Sequence, residues 1–297
     1  MEAAPGARDA AFEEHRGLVF GVAYRMLGSV AGAEDMVQDT YLRFRAARDE
    51  PRSARALLVT IVTRLCMDEL KSARLQREQY IGQWLPEPLV TRESELPSPE
   101  NMAEREDDVS MAFLVMLEAL GPVERAVFLL REVFDYDYGD IAQVVGKSEG
   151  ACRQAFHRAR ERVAARQHRY TPDYARRRAL TVRFLEAVNE GNLGGLMEIL
   201  SADAVAITDG GGIVSSARRP VYGANRVARF AIGVARKEPA TRIELVDVNG
   251  QPGFVTYMRR DHVRSVIVLD TVGDEIAAVY AIRNPEKLAR VLVEREA

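Results

Sequence analysis

The chain has 297 residues, 47% of them hydrophobic and 29% charged, with 41 basic against 44 acidic side chains and a net charge of −3. That length holds two or three domains with cores of their own, and the balance excludes a protein that grips polyanions by overall charge alone. No apolar run is long enough to span a bilayer and the N-terminal "MEAAPGARDAAFEEHRG" lacks a signal-like segment, so a cytoplasmic protein with no membrane partner is expected.

Residues 10–79 carry helical periodicity. Leu18, Val19, Val22, Ala23 and Met26 make an apolar stripe, and Gly28-Ser29 ends the first helix. In "GSVAGAEDMVQDTYLRF" the residues Val37, Tyr41 and Phe44 share one face, while Glu34, Asp35, Gln38 and Asp39 form an acidic, hydrogen-bonding stripe beside it. After a break at "RDEPRSAR", the stretch "ALLVTIVTRLCMDELKSARLQRE" reads as a long helix, apolar in its first half and basic and polar in its second. Cys66 lies here and Cys152 further on. Both sit in amphipathic patterns and read as core, not as a disulfide or metal site.

Residues 80–108 form an acidic, proline-rich linker that holds the chain's one tryptophan, Trp84. Residues 109–169 return to helix. Pro122 is suited to open "PVERAVFLLREVF". Then a helix of about eight residues, a turn at Gly146 and a longer basic helix capped by Ser148 make a helix-turn-helix pattern. Its second helix offers Arg153, Gln154, His157 and Arg158 outward, with Ala151, Ala155, Ala159 and Val163 inward. Arg and Gln there have the donor geometry to read base edges in a major groove.

Residues 171–297 change character. A helical stretch precedes "AVAIT", "IVSSARRPVYG", "TRIELVDVN", "GFVTYMRR", "VRSVIVLDT" and "EIAAVYAIRN", which read as strands, with a helix near "ANRVARFAIGVA" and a hairpin signal at Asn249-Gly250. Helices followed by an antiparallel meander imply an α+β domain, a curved sheet wrapped on helices. No nucleotide-binding glycine loop is present, and no cofactor or catalytic residue is expected.

Together, "GSVAGAEDMVQDTYLRF", the helix ending "MDELKSAR" and the helix-turn-helix resemble regions two and four of extracytoplasmic-function (ECF) sigma factors, the promoter-specificity subunits of bacterial RNA polymerase. The tail resembles a SnoaL-like domain of the ketosteroid-isomerase-like, cone-shaped fold. Three signatures of the sigma subgroup that carries this fusion stand in order: Trp84-Leu85-Pro86-Glu87-Pro88, Asp209-Gly210-Gly211-Gly212 and Asn284-Pro285-Glu286-Lys287-Leu288. The resemblance implies two all-α sigma domains followed by the α+β cone. It also implies a monomer when free, with core RNA polymerase (its large-subunit coiled coil and flap) and promoter DNA as partners.

In that family the region-two stripe Glu34, Asp35, Gln38 and Asp39 docks on the polymerase. Arg64, Asp68, Lys71 and Arg74 lie near positions that meet the −10 element, and Ser148, Arg153, Gln154, His157 and Arg158 meet the −35 element. Members often carry a tryptophan where this chain has "ARALLVT", and Tyr41 and Phe44 have core spacing. The linker is expected to bind the tail, with Trp84 as an aromatic anchor and Pro86 and Pro88 holding the segment extended. The resemblance implies that Asp209 to Gly212 and Asn284 to Leu288 shape the surface facing the sigma regions. The tail is then a regulator in cis.

The alternatives are a ligand-sensing tail, with a small molecule in the cone, and an isomerase- or cyclase-like enzyme. A buried carboxylate of raised pKa facing a second polar group in the cone would mark the enzyme. Asp209 stands directly before three glycines, which reads as a turn, and His262 beside Asp261 reads as a hairpin turn, so no dyad emerges.

Overall fold

The computed structural model describes residues 5–47, 53–77, 80–92, 109–164, 174–258 and 262–291. It divides into two units. One comprises residues 1–78 and 114–167, the other residues 79–113 and 168–297.

The first unit is all-α. Helices α1 (Pro5–Leu27), α2 (Val30–Ala46) and α3 (Ala54–Arg77) pack on one another. Gly28, at φ +65°, turns the chain out of α1, and Ser29 caps α2 by accepting from the Gly32 amide at 3.1 Å. Val37 and Phe44 enter the core, whereas Tyr41 is half-buried, its ring tilted against that of Phe12 and its hydroxyl donating to Asp9. Cys66 and Cys152 are both buried free thiols, and burial raises both above the usual thiol range.

Next come α4 (Met111–Leu117), which runs across the division between the units, and α5 (Pro122–Glu132), α6 (Tyr138–Val145) and α7 (Glu149–Ala164). Pro122 occupies the first turn of α5. Gly146 at φ +67° makes the turn between α6 and α7, and Ser148 Oγ accepts from the Ala151 amide. The apolar face of α7 is Cys152, Ala155, Ala159 and Val163. Ala151 is exposed, one position off the inward face the sequence pattern gives it, because Cys152 starts the stripe.

The second unit is α+β. Helices α8 (Tyr174–Glu190), α9 (Leu193–Ile199) and α10 (Ala224–Lys237) pack on a seven-stranded sheet ordered β1-β4-β5-β6-β7-β2-β3. The strands are β1 (Val90–Arg92), β2 (Leu200–Asp209), β3 (Val221–Tyr222), β4 (Arg242–Val248), β5 (Gln251–Met258), β6 (His262–Val272) and β7 (Glu275–Ile282). Leu180, Phe184, Leu196, Val227, Phe254 and Leu269 fill the space between helices and sheet.

Strands β4 to β7 form the expected meander, and Asn249 (φ +58°) and Gly250 (φ +74°) make its tight β4–β5 turn. Two features depart from the sequence reading. The first is in "IVSSARRPVYG", where Val221 and Tyr222 alone are strand. Thr208 Oγ1 accepts from the Ala217 amide at 2.8 Å and folds the rest into a loop, and Pro220 has no N–H to give a ladder. The second is parallel pairing of β2 with β7, which makes the sheet mixed.

Candidate functional site

The residues singled out in the sequence fall into three places. On α2, Glu34, Asp35, Gln38 and Asp39 are all exposed along one face, while Ala33, Met36, Val37 and Thr40 are buried behind them. On α3, Asp68 and Lys71 are exposed and paired at 2.7 Å. Arg64 is turned onto the helix-turn-helix. Its Nε donates to the Val144 carbonyl at 2.9 Å and its Nη2 to the Gln143 carbonyl at 2.6 Å, so its charge sits against the C-terminal carbonyls of α6. The side chain of Arg74 lies outside the described residues.

Other groups tie the same two regions. Arg125, only 2% exposed, donates to the Met26 carbonyl at 2.6 Å and pairs with Glu118 at 2.8 Å. Arg55 donates to the Tyr136 hydroxyl at 3.1 Å. Sequence pattern alone gave no sign of Arg55 or Arg125, because a basic residue on a helix reads as solvated until its acceptor is known.

On α7, Arg153, Gln154, His157 and Arg158 are exposed on one side. Arg153 pairs with Glu149 and lies 4.5 Å over the Tyr138 ring, and Arg158 joins Arg162 on Glu124 at 3.1 and 2.6 Å. All these groups are surface pairs of small energy, so partners with phosphates can displace them.

The third place is built by the linker and the tail, both in the α+β unit. Asp209, the last residue of β2, is fully buried. Its two oxygens receive four donors. Oδ1 accepts from the Tyr80 hydroxyl at 2.6 Å and the Gly211 amide at 3.0 Å; Oδ2 accepts from the Leu85 amide at 2.9 Å and from Lys287 Nζ at 2.7 Å. That fills the acceptor capacity of a carboxylate.

Lys287 also donates to the Leu85 carbonyl and lies 4.1 Å from the centre of the Trp84 ring. Its position is set by a short helix, α11 (Pro285–Leu288), which Asn284 caps by accepting from the Glu286 amide at 3.0 Å. The Asn284 amide group donates in turn to the Tyr80 hydroxyl at 3.0 Å. Burial, then the Asp209 carboxylate, push the Tyr80 phenol well above its usual range, so it stays a donor.

The glycines have a direct reason. Gly211, at φ +63°, lies where a Cβ would come within 2.5 Å of Asn284 Nδ2, and Gly212, at φ +74°, where one would come within 3.0 Å of Ile81. Leu85, Pro86, Glu87 and Pro88 are buried, with Leu85 at 0% exposure, whereas Trp84 is half-buried. The deepest anchor is therefore Leu85, with Trp84 as the lid over Lys287.

Beyond the prolines the linker becomes a strand. β1 pairs antiparallel with β4, Val90 opposite Val248, and Asn249 extends the pairing by donating its amide to the Leu89 carbonyl at 2.9 Å and accepting from the Leu89 amide at 3.2 Å. The segment completes the sheet edge, which a linker reading does not anticipate. The Met111 amide then donates to Gln251 at 3.2 Å. The acidic run 93–108 lies outside the described residues.

The tail also has a cavity of about 360 Å3, open at one side, between α8, α10 and the sheet. Phe184, Phe230, Ile243, Phe254 and Ile267 make it mostly apolar, and Glu238, Arg264 and Arg283 form a charged cluster in its wall. Asp209 and His262 are not among its lining residues.

Two family models match the chain: Sigma-70 region 2 over residues 11–76 and Sigma-70, region 4 over residues 110–163. The chain is 35% identical over 287 residues to the ECF RNA polymerase sigma factor SigJ of Mycobacterium tuberculosis, covering 93% of this chain and 91% of the relative. It is 32% identical to the probable ECF RNA polymerase sigma factor SigI of the same species, covering 94% of each. The crystal structure of M. tuberculosis SigJ superposes with a TM-score of 0.76 at 31% identity, covering 94% of this chain and 98% of that one.

The chain belongs to the ECF RNA polymerase sigma factors. In this sigma factor α1–α3 are region 2, the helices α4–α7 are region 4, and the α+β domain after them is the tail. Its function is transcription initiation with RNA polymerase at promoters. Among the described residues, no helix is long and apolar enough to cross a membrane.

Proposed function

We propose that this sigma factor is held in check by its own tail, which acts on the linker. The observation that carries the reading is the saturated Asp209 carboxylate, which takes two of its four hydrogen bonds from linker residues Tyr80 and Leu85. Core polymerase would dock on Glu34, Asp35, Gln38 and Asp39. The −10 element would meet Arg64, Asp68, Lys71 and Arg74, and the −35 element Ser148, Arg153, Gln154, His157 and Arg158.

Distance makes a brake physically reasonable. The two elements are centred roughly 25 base pairs apart, which is about 85 Å along B-form DNA at about 3.4 Å per pair. Within the all-α unit, Arg64 and Arg125 join region 2 to region 4 by direct hydrogen bonds, so both elements are out of reach until those contacts open. The linker connects α3 to α4 in sequence. Fastened to the tail at Tyr80, Leu85 and Leu89, it cannot spend its full length on separating them.

An enzymatic tail has less support. Asp209 is consumed by the clamp, and the carboxylate in the cavity wall, Glu238, is held below the usual range, not raised. Burial alone would raise it, but the charges and hydrogen bonds of Arg283 and Arg264 outweigh that.

The test is transcription in vitro by core polymerase at a promoter selected from a random library. Lys287→Ala, which removes the clamp's cation, is expected to raise initiation several-fold at limiting sigma factor. Initiation that falls, with core binding intact, would mean that the clamp completes the working factor and that the brake is wrong.

A further inference from the structure

We infer that the tail cavity binds an amphipathic monocarboxylate of about a dozen non-hydrogen atoms on Arg264 and Arg283, and that its occupancy is transmitted to the linker clamp; this rests on reading the tail as a regulator.

The size follows from the volume. A space of about 360 Å3 holds roughly a dozen atoms the size of a water molecule at about 30 Å3 each. The chemistry follows from the lining. The wall is apolar apart from a few groups gathered at one place, the pattern of a small-molecule site. Its charges do not balance: Arg236, Arg264 and Arg283 stand against Glu238 alone.

Arg264 is 8% exposed, and both its guanidinium and that of Arg283 converge on one oxygen of Glu238, Oε2. Two guanidinium forks on one carboxylate oxygen leave a net positive charge, low in solvation, facing an apolar space. Guanidinium pairs a carboxylate in bidentate fashion, so a second carboxylate with an apolar body meets both demands. A neutral or cationic ligand of the same shape leaves the excess charge unmatched.

Arg283 is also the route to the clamp. Its backbone amide donates to the Asp209 carbonyl at 2.7 Å, its Nη1 donates to the Ser215 carbonyl at 2.6 Å, and the next residue is Asn284, which holds the Tyr80 hydroxyl. An anion that draws the Arg283 side chain away from Ser215 therefore acts on the turn after Asp209 and on the residue that holds the linker.

The protein carries its own reporter, because Trp84 is the only tryptophan and stands over Lys287. Decanoate, with about twelve non-hydrogen atoms and no absorbance in the tryptophan range, is titrated into the full chain by calorimetry and by Trp84 emission, with decanamide as the uncharged match. Decanoate is expected to bind at least about tenfold more tightly than decanamide and to shift the emission. Both effects should be lost in Arg264→Gln and in Ala231→Phe, which fills the cavity from α10 and keeps the test valid if the arginine variant fails to fold. Equal affinity for the two compounds, no binding, or undiminished binding to a folded Ala231→Phe chain would overturn the site. Binding that leaves Trp84 emission unchanged would overturn the coupling. None of these failures touches the clamp as a brake, which Lys287→Ala tests independently.

Discussion

The α+β unit holds two charge clusters, and they are built in opposite ways. At the clamp a single carboxylate, Asp209, meets a single ammonium, Lys287, and each oxygen accepts two donors. At the cavity two guanidiniums share one carboxylate, and the surplus charge faces open space. A saturated cluster fixes one geometry, because any displaced group leaves a buried partner unmatched. An unbalanced one is ready for a further partner. The first suits a fastening and the second a receptor, and they meet at Arg283-Asn284.

Breaking the saturated cluster should have the largest effect. Asp209→Ala strands Lys287 and removes the acceptor of Tyr80, Leu85 and Gly211, so the tail should lose on the order of 3 kcal/mol or more, read as a lower denaturation midpoint. The linker should become the first site of protease cleavage. A smaller loss is expected for Gly211→Ala, where a left-handed backbone and the Asn284 contact together cost about 2 kcal/mol, with the same linker exposure. Trp84→Ala removes a ring over the Lys287 ammonium and should cost only about 1 kcal/mol, seen as slight loosening of the linker to protease.

The smallest effect sharpens the contrast by pH. The Glu238 carboxyl is depressed by its two guanidiniums, so its contribution is present above the ordinary glutamate value, about 4.3, and disappears as pH falls through the lower folded value. Glu238→Gln should therefore be slightly less stable than the parent at neutral pH, with the gap closing below about pH 4. A gap that is constant with pH would mean that Glu238 acts by packing alone.

How much of this could be read from the chain depends on range. The all-α regions were legible because their signals are local: Gly28-Ser29, Gly121-Pro122 and Gly146-Ser148 fix helix ends within a few residues of themselves. So was the Asn249-Gly250 turn. The three signatures could be picked out, but not why they need one another, since Tyr80 and Asn284 lie 204 positions apart. Tyr80 itself was missed, being one residue type among many in a polar stretch. β1 was hidden by its shortness, because an edge strand of three residues has no period to show, and by Pro86 and Pro88 just before it. Arg64 read as a DNA contact, and nothing in its helix announces that its donors reach Gln143 and Val144. The cavity cluster was invisible because Glu238, Arg264 and Arg283 come from three separate elements.

The claim beneath all of this is that the tail holds the linker, and amide hydrogen exchange on the full chain tests it most directly. The account predicts that Leu85 and Leu89 exchange as slowly as the β4–β5 ladder in the free protein, and that Asp209→Ala or binding to core polymerase releases them. Linker amides in the free protein that exchange at the rate of an unstructured peptide would contradict it.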